Sequence, residues 1–157
     1  MKNKLSHALL RSKCVSEMLI FRYGNLFEAD CSLGHCVSRD LRMTKGIAAQ
    51  FRGRFGRISE LLNQKAQIGE IAVLRHGQRF LYYLVTKNKY YHKPSLYAVR
   101  ASLLAMRKHM LTHGVQTAAL PRVASGLDRV PWGEVKRVLE EIFGSSSLTI
   151  YIYIWDN

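Results

Sequence analysis

Short apolar runs alternate along this chain with segments whose apolar residues return every third or fourth position. "EMLIFRY" (17–23) is an apolar run that stops at Gly24, and "LGHCV" (33–37) is a second; both predict strands. "GIAAQFRGRF" (46–55) and "ISELLNQKA" (58–66) predict two short helices parted by Gly56. "EIAVLR" (70–75) and "RFLYYLV" (79–85) predict a strand pair, with the glycine of "HGQ" suited to the tight turn between them. From Pro94 to Gly114, Leu96, Val99, Leu103, Met106 and Met110 recur at helical spacing, so this helix has one core-facing stripe. "QTAAL" (116–120) is the next strand. A helix from Pro131 follows with Val135, Leu139 and Ile142 inward, and "LTIYIYIW" (148–155) alternates as a closing strand.

Strands interleaved with helices predict an α/β layered domain, and the 70–85 hairpin makes its sheet mixed. In such sheets ligands bind beyond the strand ends, where loops meet helix N-termini. The loops after the strands ending at Val37, Val85 and Leu120 are therefore where chemistry is expected.

A chain of 157 residues fits one domain with a core that needs no staples. No apolar run approaches the roughly 20 residues of a membrane helix, so no membrane partner is expected. Charge changes the picture more. Twenty-four Lys and Arg oppose eleven Asp and Glu, a net charge of +13. Between Glu70 and Asp128 there is no acid, while nine Lys and Arg lie there. Such a field attracts polyanions: nucleic acid (RNA or DNA), an acidic membrane surface or a phosphate-bearing ligand. The alternative is a basic surface that is merely well solvated. Cys14, Cys31 and Cys36 form no CxxC, and His109 and His113, four apart, have no evident third ligand; neither set reads as a metal site. The acid-free "MKNKLSHALLRSKCVS" (1–16) reads as a basic arm ahead of a domain spanning 17–157, with a mitochondrial presequence as the alternative.

Each of the three loops carries its own signal. "SRDLRMTKGIAAQF" leads into a helix whose first residues, Gly46, Ile47 and Ala48, are small or apolar, leaving backbone N–H groups open to a phosphate. "ALPRVASGLDRVPW" opens into Ala124, Ser125 and Gly126, which let a ligand approach the backbone. Asp128 then has two readings: an acid at the mouth of that loop, or a helix N-cap or partner of Arg129. Lys87 follows "FLYYLV" with only Thr86 between and lies near Lys89, a setting that favours a neutral, nucleophilic amine. The bland reading of Lys87 is a solvated lysine.

Taken together, "GNLF", "GHCVSRDLRMTKGIAAQF", "ELLNQKAQIGEIAVL", "YYLVTKNKYYHKP", "GVQTAALPRVASGLDRVPW" and "EEIF" resemble a macro domain. The similarity is to its terminal ADP-ribose protein glycohydrolase, or O-acyl-ADP-ribose deacylase, branch, from about residue 18 onward. The resemblance implies a three-layer α/β/α domain with an ADP-ribose cleft at one end of a mixed sheet. It implies a catalytic pair, Lys87 of the "TK" and Asp128 of the "GLD", acting without metal or cofactor on ADP-ribose ester-linked to Glu or Asp of proteins. In that reaction the amine attacks the anomeric carbon of the opened distal ribose, and the aspartate serves as acid and base. The substrate-binding residues implied are Asn25, Leu26, His35 and Ser38, then Met43, Thr44, Lys45, Gly46 and Ile47. The loop from Pro121 adds Arg122, Val123, Ala124, Ser125, Gly126 and Leu127, and Trp155 either stacks on adenine or packs. Asn25 stands where many relatives have an aspartate that fixes the adenine amino group, and Thr44-Lys45 replaces a more glycine-rich loop. The resemblance also implies ADP-ribosylated proteins as partners and a nuclear or cytoplasmic setting in the DNA damage response; a monomer is assumed. Two other readings stand beside the enzyme: a macro domain that binds ADP-ribose or poly-ADP-ribose without turnover, and nucleic-acid binding with stacking among Tyr82, Tyr83, Tyr90 and Tyr91, at least one of the strand residues Tyr82 and Tyr83 being expected in the core.

Overall fold

The computed structural model describes residues 19–126 and 128–155; the basic arm over 1–16 and Leu127 lie outside the described residues. Six strands form one sheet: β1 Leu19–Tyr23, β2 Ser32–Ser38, β3 Ile71–His76, β4 Arg79–Lys87, β5 Thr117–Pro121 and β6 Thr149–Ile154, in the order β1-β6-β5-β2-β4-β3. All pairings are parallel except β3 with β4, so the sheet is mixed as the hairpin predicts. Four helices cover it: α1 Gly46–Phe55, α2 Ile58–Asn63, α3 Leu96–Thr112 and α4 Trp132–Phe143.

The element pattern follows from local chemistry. Gly77 at φ 63° opens the two-residue turn between β3 and β4, a conformation that a side chain resists. Ser95, not Pro94, caps α3 by accepting from the Ala98 N–H at 3.0 Å. The helix stops where Gly114 turns to φ 67° and the Val115 N–H bonds back to the Met110 carbonyl. Helix α2 ends three residues earlier than its apolar pattern suggests, because Lys65 is left-handed at φ 52°. The freed Gln64 amide pairs with both backbone groups of Val73 at 2.8 Å, occupying part of the open edge of β3. A 3-10 turn, Leu26–Glu28, went unpredicted; Asn25 caps it, accepting from the Phe27 N–H at 2.9 Å.

Two cores form on the two faces of the sheet. Along β4, Tyr82 and Leu84 face α3 and α4, while Leu81, Tyr83 and Val85 face α1 and α2. Both tyrosines are fully buried, so neither is available to stack on a nucleic acid. The core-facing residues expected of α3 and α4 are in place: Val99, Leu103, Met106 and Met110, then Val135, Leu139 and Ile142, all join the first core.

His35 belongs to the other face. Expected among the ligand-binding residues, it lies instead in the core, 2% exposed, stacked on Phe51 at 3.7 Å between ring centroids and edge-on to Tyr83 at 4.9 Å. The reason is register. On β2, position 35 points to the α1 face, between Leu33 and Val37 of the second core. Among the described residues neither ring nitrogen finds a partner, and burial lowers its pKa to about 3, against a smaller opposing effect of the Cys36 backbone. The folded protein thus refuses a proton that the unfolded chain accepts near the ordinary histidine value. Stability is full above about pH 6.5 and falls as pH drops from there toward 3, by on the order of 1 kcal/mol per pH unit. Thermal melts at pH 7 and pH 5 should show this loss, and His35→Leu should shrink it; an unchanged pH slope in the variant would assign it to another group.

Candidate active site

The strands that run parallel end at one edge of the sheet, and the residues of interest follow those ends: Gly24 after β1, Ser38 as the last of β2, Lys87 as the last of β4, Pro121 closing β5, Trp155 after β6. From β2 the chain proceeds through α1 and α2 to β3 and β4 on one side; from β5 it proceeds through α4 to β6 on the other. The connections diverge between β5 and β2, the position where an open α/β sheet leaves a crevice.

Lys87 is not in a loop, as its place after "FLYYLV" suggested, but is the final residue of β4. It is reached through an irregularity: Val37 pairs with Val85, but Ser38 pairs with Lys87, so Thr86 is passed over. An extra residue of this kind turns the following side chain. The Lys87 ammonium meets Asp128 at 2.5 Å, and the two side chains are only 13% and 17% exposed. Asp128 therefore neither caps α4, whose N-cap is Pro131, nor pairs with Arg129. A contact 41 residues apart in sequence is what spacing alone does not reveal. Beneath the pair is Cys36, half-buried, whose thiol is pushed up to about 12 by burial and by the Asp128 carboxylate, with Thr86, Ala124 and Lys87 opposing. It stays a neutral thiol, and sequence reading had no reason to place it there. Asn88 Oδ1 and Ser125 Oγ, both buried, have no hydrogen-bond partner among the described residues.

A cavity of about 500 Å³ lies against the loop that carries Asp128, with Gly126 and Arg129 in its lining and Lys87 and Asp128 themselves outside it. Of the residues expected there, Leu26, Ile47, Pro121, Arg122, Ser125, Gly126 and Trp155 line it. Gly24, Arg129, Val130, Pro131, Trp132 and Tyr153 line it as well and were not anticipated. Their sequence signal is weak, because they owe their position to the loop's return and to the neighbouring β6. The loop bends back through Ala124 and Arg129, both left-handed at φ 60° and 58°, and closes with the Val130 N–H on the Ala124 carbonyl at 2.8 Å. Two non-glycine residues held in that region mark stored strain.

The lining suits an anion. Helices α1 and α4 both begin without a side-chain cap, and each presents its first turn to the cavity, through Ile47 and through Pro131 and Trp132. Uncapped N–H groups and the positive end of the helix dipole attract negative charge. Arg122 and Arg129 add full charges. The other expected residues are nearby but outside this lining. Thr44, Lys45 and Gly46 are exposed at the start of α1; Met43, Val123 and Ala124 are buried beneath the loops; Ser38 is buried and bonded to Asp40. The acceptor of Asn25 is committed to its 3-10 turn. Far from this edge, His109 and His113 stack at 3.8 Å, with His109 Nδ1 and the Tyr82 hydroxyl 2.8 Å apart; no cluster of three or more metal-ligating side chains occurs among the described residues.

No family model matches the chain. Over 122 residues it is 45% identical to the ADP-ribose glycohydrolase OARD1 of Bos taurus, an alignment covering 78% of this chain and 80% of that protein. Identity to the Homo sapiens protein of the same name is 44% over the same length. The macrodomain of Thermus aquaticus DarG superposes with a TM-score of 0.78 at 26% identity, covering 88% of this chain and 98% of that one.

The chain belongs to the macro domain family. The macrodomain of Mycobacterium tuberculosis DarG, at 21% identity and a TM-score of 0.76, repeats the fold over 86% of this chain and 96% of its own. The cavity of this macro domain is lined by two arginines and two helix starts, which sets an order of contributions to anion binding. Replacing both Arg122 and Arg129 with Ala should weaken binding of a diphosphate ligand by roughly 10-fold or more, two charge-assisted contacts each contributing about 1 kcal/mol. Isothermal titration with ADP-ribose checks this. Undiminished affinity would leave the helix N-termini as the sole anion hold.

Proposed function

We propose that the protein is an ADP-ribosyl hydrolase that releases ADP-ribose from ester-linked Glu and Asp side chains, with Lys87 as nucleophile and Asp128 as acid and base. The observation that carries this reading is the shielded 2.5 Å pair of Lys87 and Asp128, the latter on the same loop as Gly126 and Arg129, which line an anion-suited cavity. The names of its relatives support the activity, the two OARD1 proteins being ADP-ribose glycohydrolases. The structure of Thermosipho africanus DarTG in complex with ADP-ribose, similar at a TM-score of 0.76 and 15% identity over 86% of this chain and 41% of that one, supports the ligand through the fold.

The chemistry follows from the geometry. ADP-ribose places its diphosphate over the N-termini of α1 and α4 and its distal ribose toward the Lys87 end. Asp128, already in contact with the ammonium, is placed to take its proton and free the lone pair. The amine then attacks the anomeric carbon of the distal ribose, and the bond from that carbon to the target's carboxylate oxygen breaks. The carboxylate leaves with the target protein, and the sugar is held as a covalent adduct on Nζ. Asp128 returns the proton as the adduct is resolved by water and ADP-ribose departs. The same pair can also remove an acyl group from O-acyl-ADP-ribose, because both reactions break an ester beside that sugar. A module built only to hold ADP-ribose gains nothing from a carboxylate and an amine in contact at the mouth of the cleft.

The carrier of ADP-ribose has a second reading. A DNA ADP-ribosyl glycohydrolase of Thermus aquaticus is 29% identical over 147 residues, covering 87% of this chain and 41% of that protein. The segment after Lys87 exposes Tyr90 and Tyr91, and Tyr97 at the start of α3 is 82% exposed. Lys89 and Lys93 lie among them, and the Arg42 guanidinium lies 5.9 Å from the Tyr90 ring centre. Aromatic faces interleaved with cations suit single-stranded nucleic acid.

Release of ADP-ribose from a glutamate-modified protein is the decisive assay. Lys87→Ala and Asp128→Ala should each abolish turnover while ADP-ribose still binds, and mass spectrometry of quenched wild type should find the adduct on Lys87. Retained hydrolysis in both variants removes the mechanism; no turnover in wild type with ADP-ribose still bound favours the binding module. For the nucleic-acid carrier, oligonucleotide affinity should fall steeply with salt as counterions are released, and Tyr90→Ala with Tyr91→Ala should lower it by about tenfold. Binding indifferent to salt and to both tyrosines dismisses that carrier.

A further inference from the structure

Lys87 reaches Asp128 only because β4 is irregular at its end, and something must hold that irregularity in place. We propose that Asp40 is a positioning residue for Lys87, an inference that rests on the hydrolase reading above. Asp40 lies in the turn after β2, half-buried. One carboxylate oxygen accepts from the Ser38 hydroxyl and, at 3.5 Å, from the Arg42 N–H; the other accepts from the Tyr90 N–H at 3.2 Å. The first two bonds close its own turn. The third crosses 50 residues of sequence to the segment that leaves β4 three residues beyond Lys87.

The backbone makes the same crossing beside it. The Arg39 N–H donates to the Lys87 carbonyl at 2.8 Å, and Ser38 is the residue paired with Lys87 across the skipped Thr86. The backbone that follows the Lys87 side chain is thus held at two points: by Arg39 at the Lys87 carbonyl and by Asp40 three residues on. The turn that carries Asp40 is itself an unusual one. Leu41 and Met43 are both left-handed, at φ 51° and 46°, and both side chains are buried at 4% exposure. Two non-glycine residues in that conformation persist only where the surroundings over-determine them. Here the determinants are the two buried side chains and the three bonds of the carboxylate.

The carboxyl is held below the usual carboxylate range. Burial opposes this, but the Ser38 hydroxyl, the Tyr90 and Arg42 N–H groups and the charge of Lys89 outweigh it. An anion with two oxygens serves three donors from two directions, which an amide with one oxygen does not. Asp40 does not line the cavity, so its loss should not disturb the ligand's own contacts.

The test separates turnover from binding. Asp40→Ala should lower kcat roughly 10- to 100-fold, the scale of misplacing a reacting group by a fraction of an ångström, while ADP-ribose affinity changes by less than about threefold. Asp40→Asn, which keeps one acceptor, should fall between wild type and Asp40→Ala. Independently of activity, hydrogen exchange of the Tyr90 N–H should accelerate at least about tenfold in Asp40→Ala, since its acceptor is gone. A wild-type kcat in Asp40→Ala overturns the inference. So does a joint loss of kcat, ADP-ribose affinity and melting temperature, which would make Asp40 merely structural. Lys87→Ala is measured in the same assay: if it turns over normally, the hydrolase reading and this inference fall together, whereas an inactive Lys87→Ala beside a normal Asp40→Ala sinks this inference alone.

Discussion

Parallel pairing of β2 with both β4 and β5 is the constraint on which the rest of the molecule depends. Strands that run the same way end at the same edge, so three loops far apart in sequence must meet there. A strand can have parallel neighbours on both sides only if the connections cross the sheet faces as helices, and these helices bury both faces. The sandwich of α1 and α2 on one face, with α3 and α4 on the other, is the consequence. The cleft lies where the connections from β2 and β5 leave in opposite directions. Fold and site are therefore one decision. The residues that bury Leu33, Leu84 and Leu120 in the sheet also deliver Ser38, Lys87 and Pro121 to its edge.

Within that frame, charge does two jobs at different ranges. The excess of cations, unbroken by any acid from Ile71 to Leu127, makes a long-range field that draws anions to the surface but discriminates poorly among them. Discrimination comes at close range from fixed dipoles: two uncapped helix starts and the backbone of the loop after β5. The one acid that interrupts the cationic stretch, Asp128, is spent on Lys87. In a site this basic a carboxylate is the scarce group, and its placement is what turns an anion-binding cleft into one able to move a proton. Asp40 is the second such carboxylate near the edge, and it faces inward to backbone donors rather than toward the cleft.

Much of this was legible in the sequence, for reasons that can be named. The strand and helix periods of β4 and α3 are strong because both elements bury a full face or stripe, so composition and spacing had to agree. Their ends were less legible. β4 runs on to Lys87 because Lys87 pairs with Ser38 of β2 beyond the skipped Thr86, a tertiary fact invisible in "FLYYLVTK". Helix α2 stops at Asn63 because Gln64 is recruited to the β3 edge. His35 was misplaced by the same blindness. A strand sends alternate residues to opposite faces, and 35 falls with Leu33 and Val37 in the core beneath α1. The lining residues Tyr153 and Trp132 went unread because β6 and α4 come to the cavity through sheet order, which no short motif states.

Strained groups gather around the Lys87–Asp128 pair, although the core carries polar atoms of its own, the His35 ring nitrogens and the Tyr83 hydroxyl, without partners among the described residues. Ala124, Arg129, Leu41 and Met43 are left-handed without being glycine, and all four lie in the loops after β5 and β2. Ser125 and Asn88 bury polar atoms without partners in the same region. Each such feature costs on the order of 1–3 kcal/mol. Two well-packed cores, with Tyr82, Tyr83, Phe51 and Phe143 fully enclosed, can carry that cost because burial of one large side chain contributes a comparable amount. Chemistry that needs an amine and a carboxylate held in contact, out of water, at the end of a strand requires a backbone bent away from its easiest path. The stable sheet and the strained edge are two halves of the same arrangement, and the second exists only because the first can hold it.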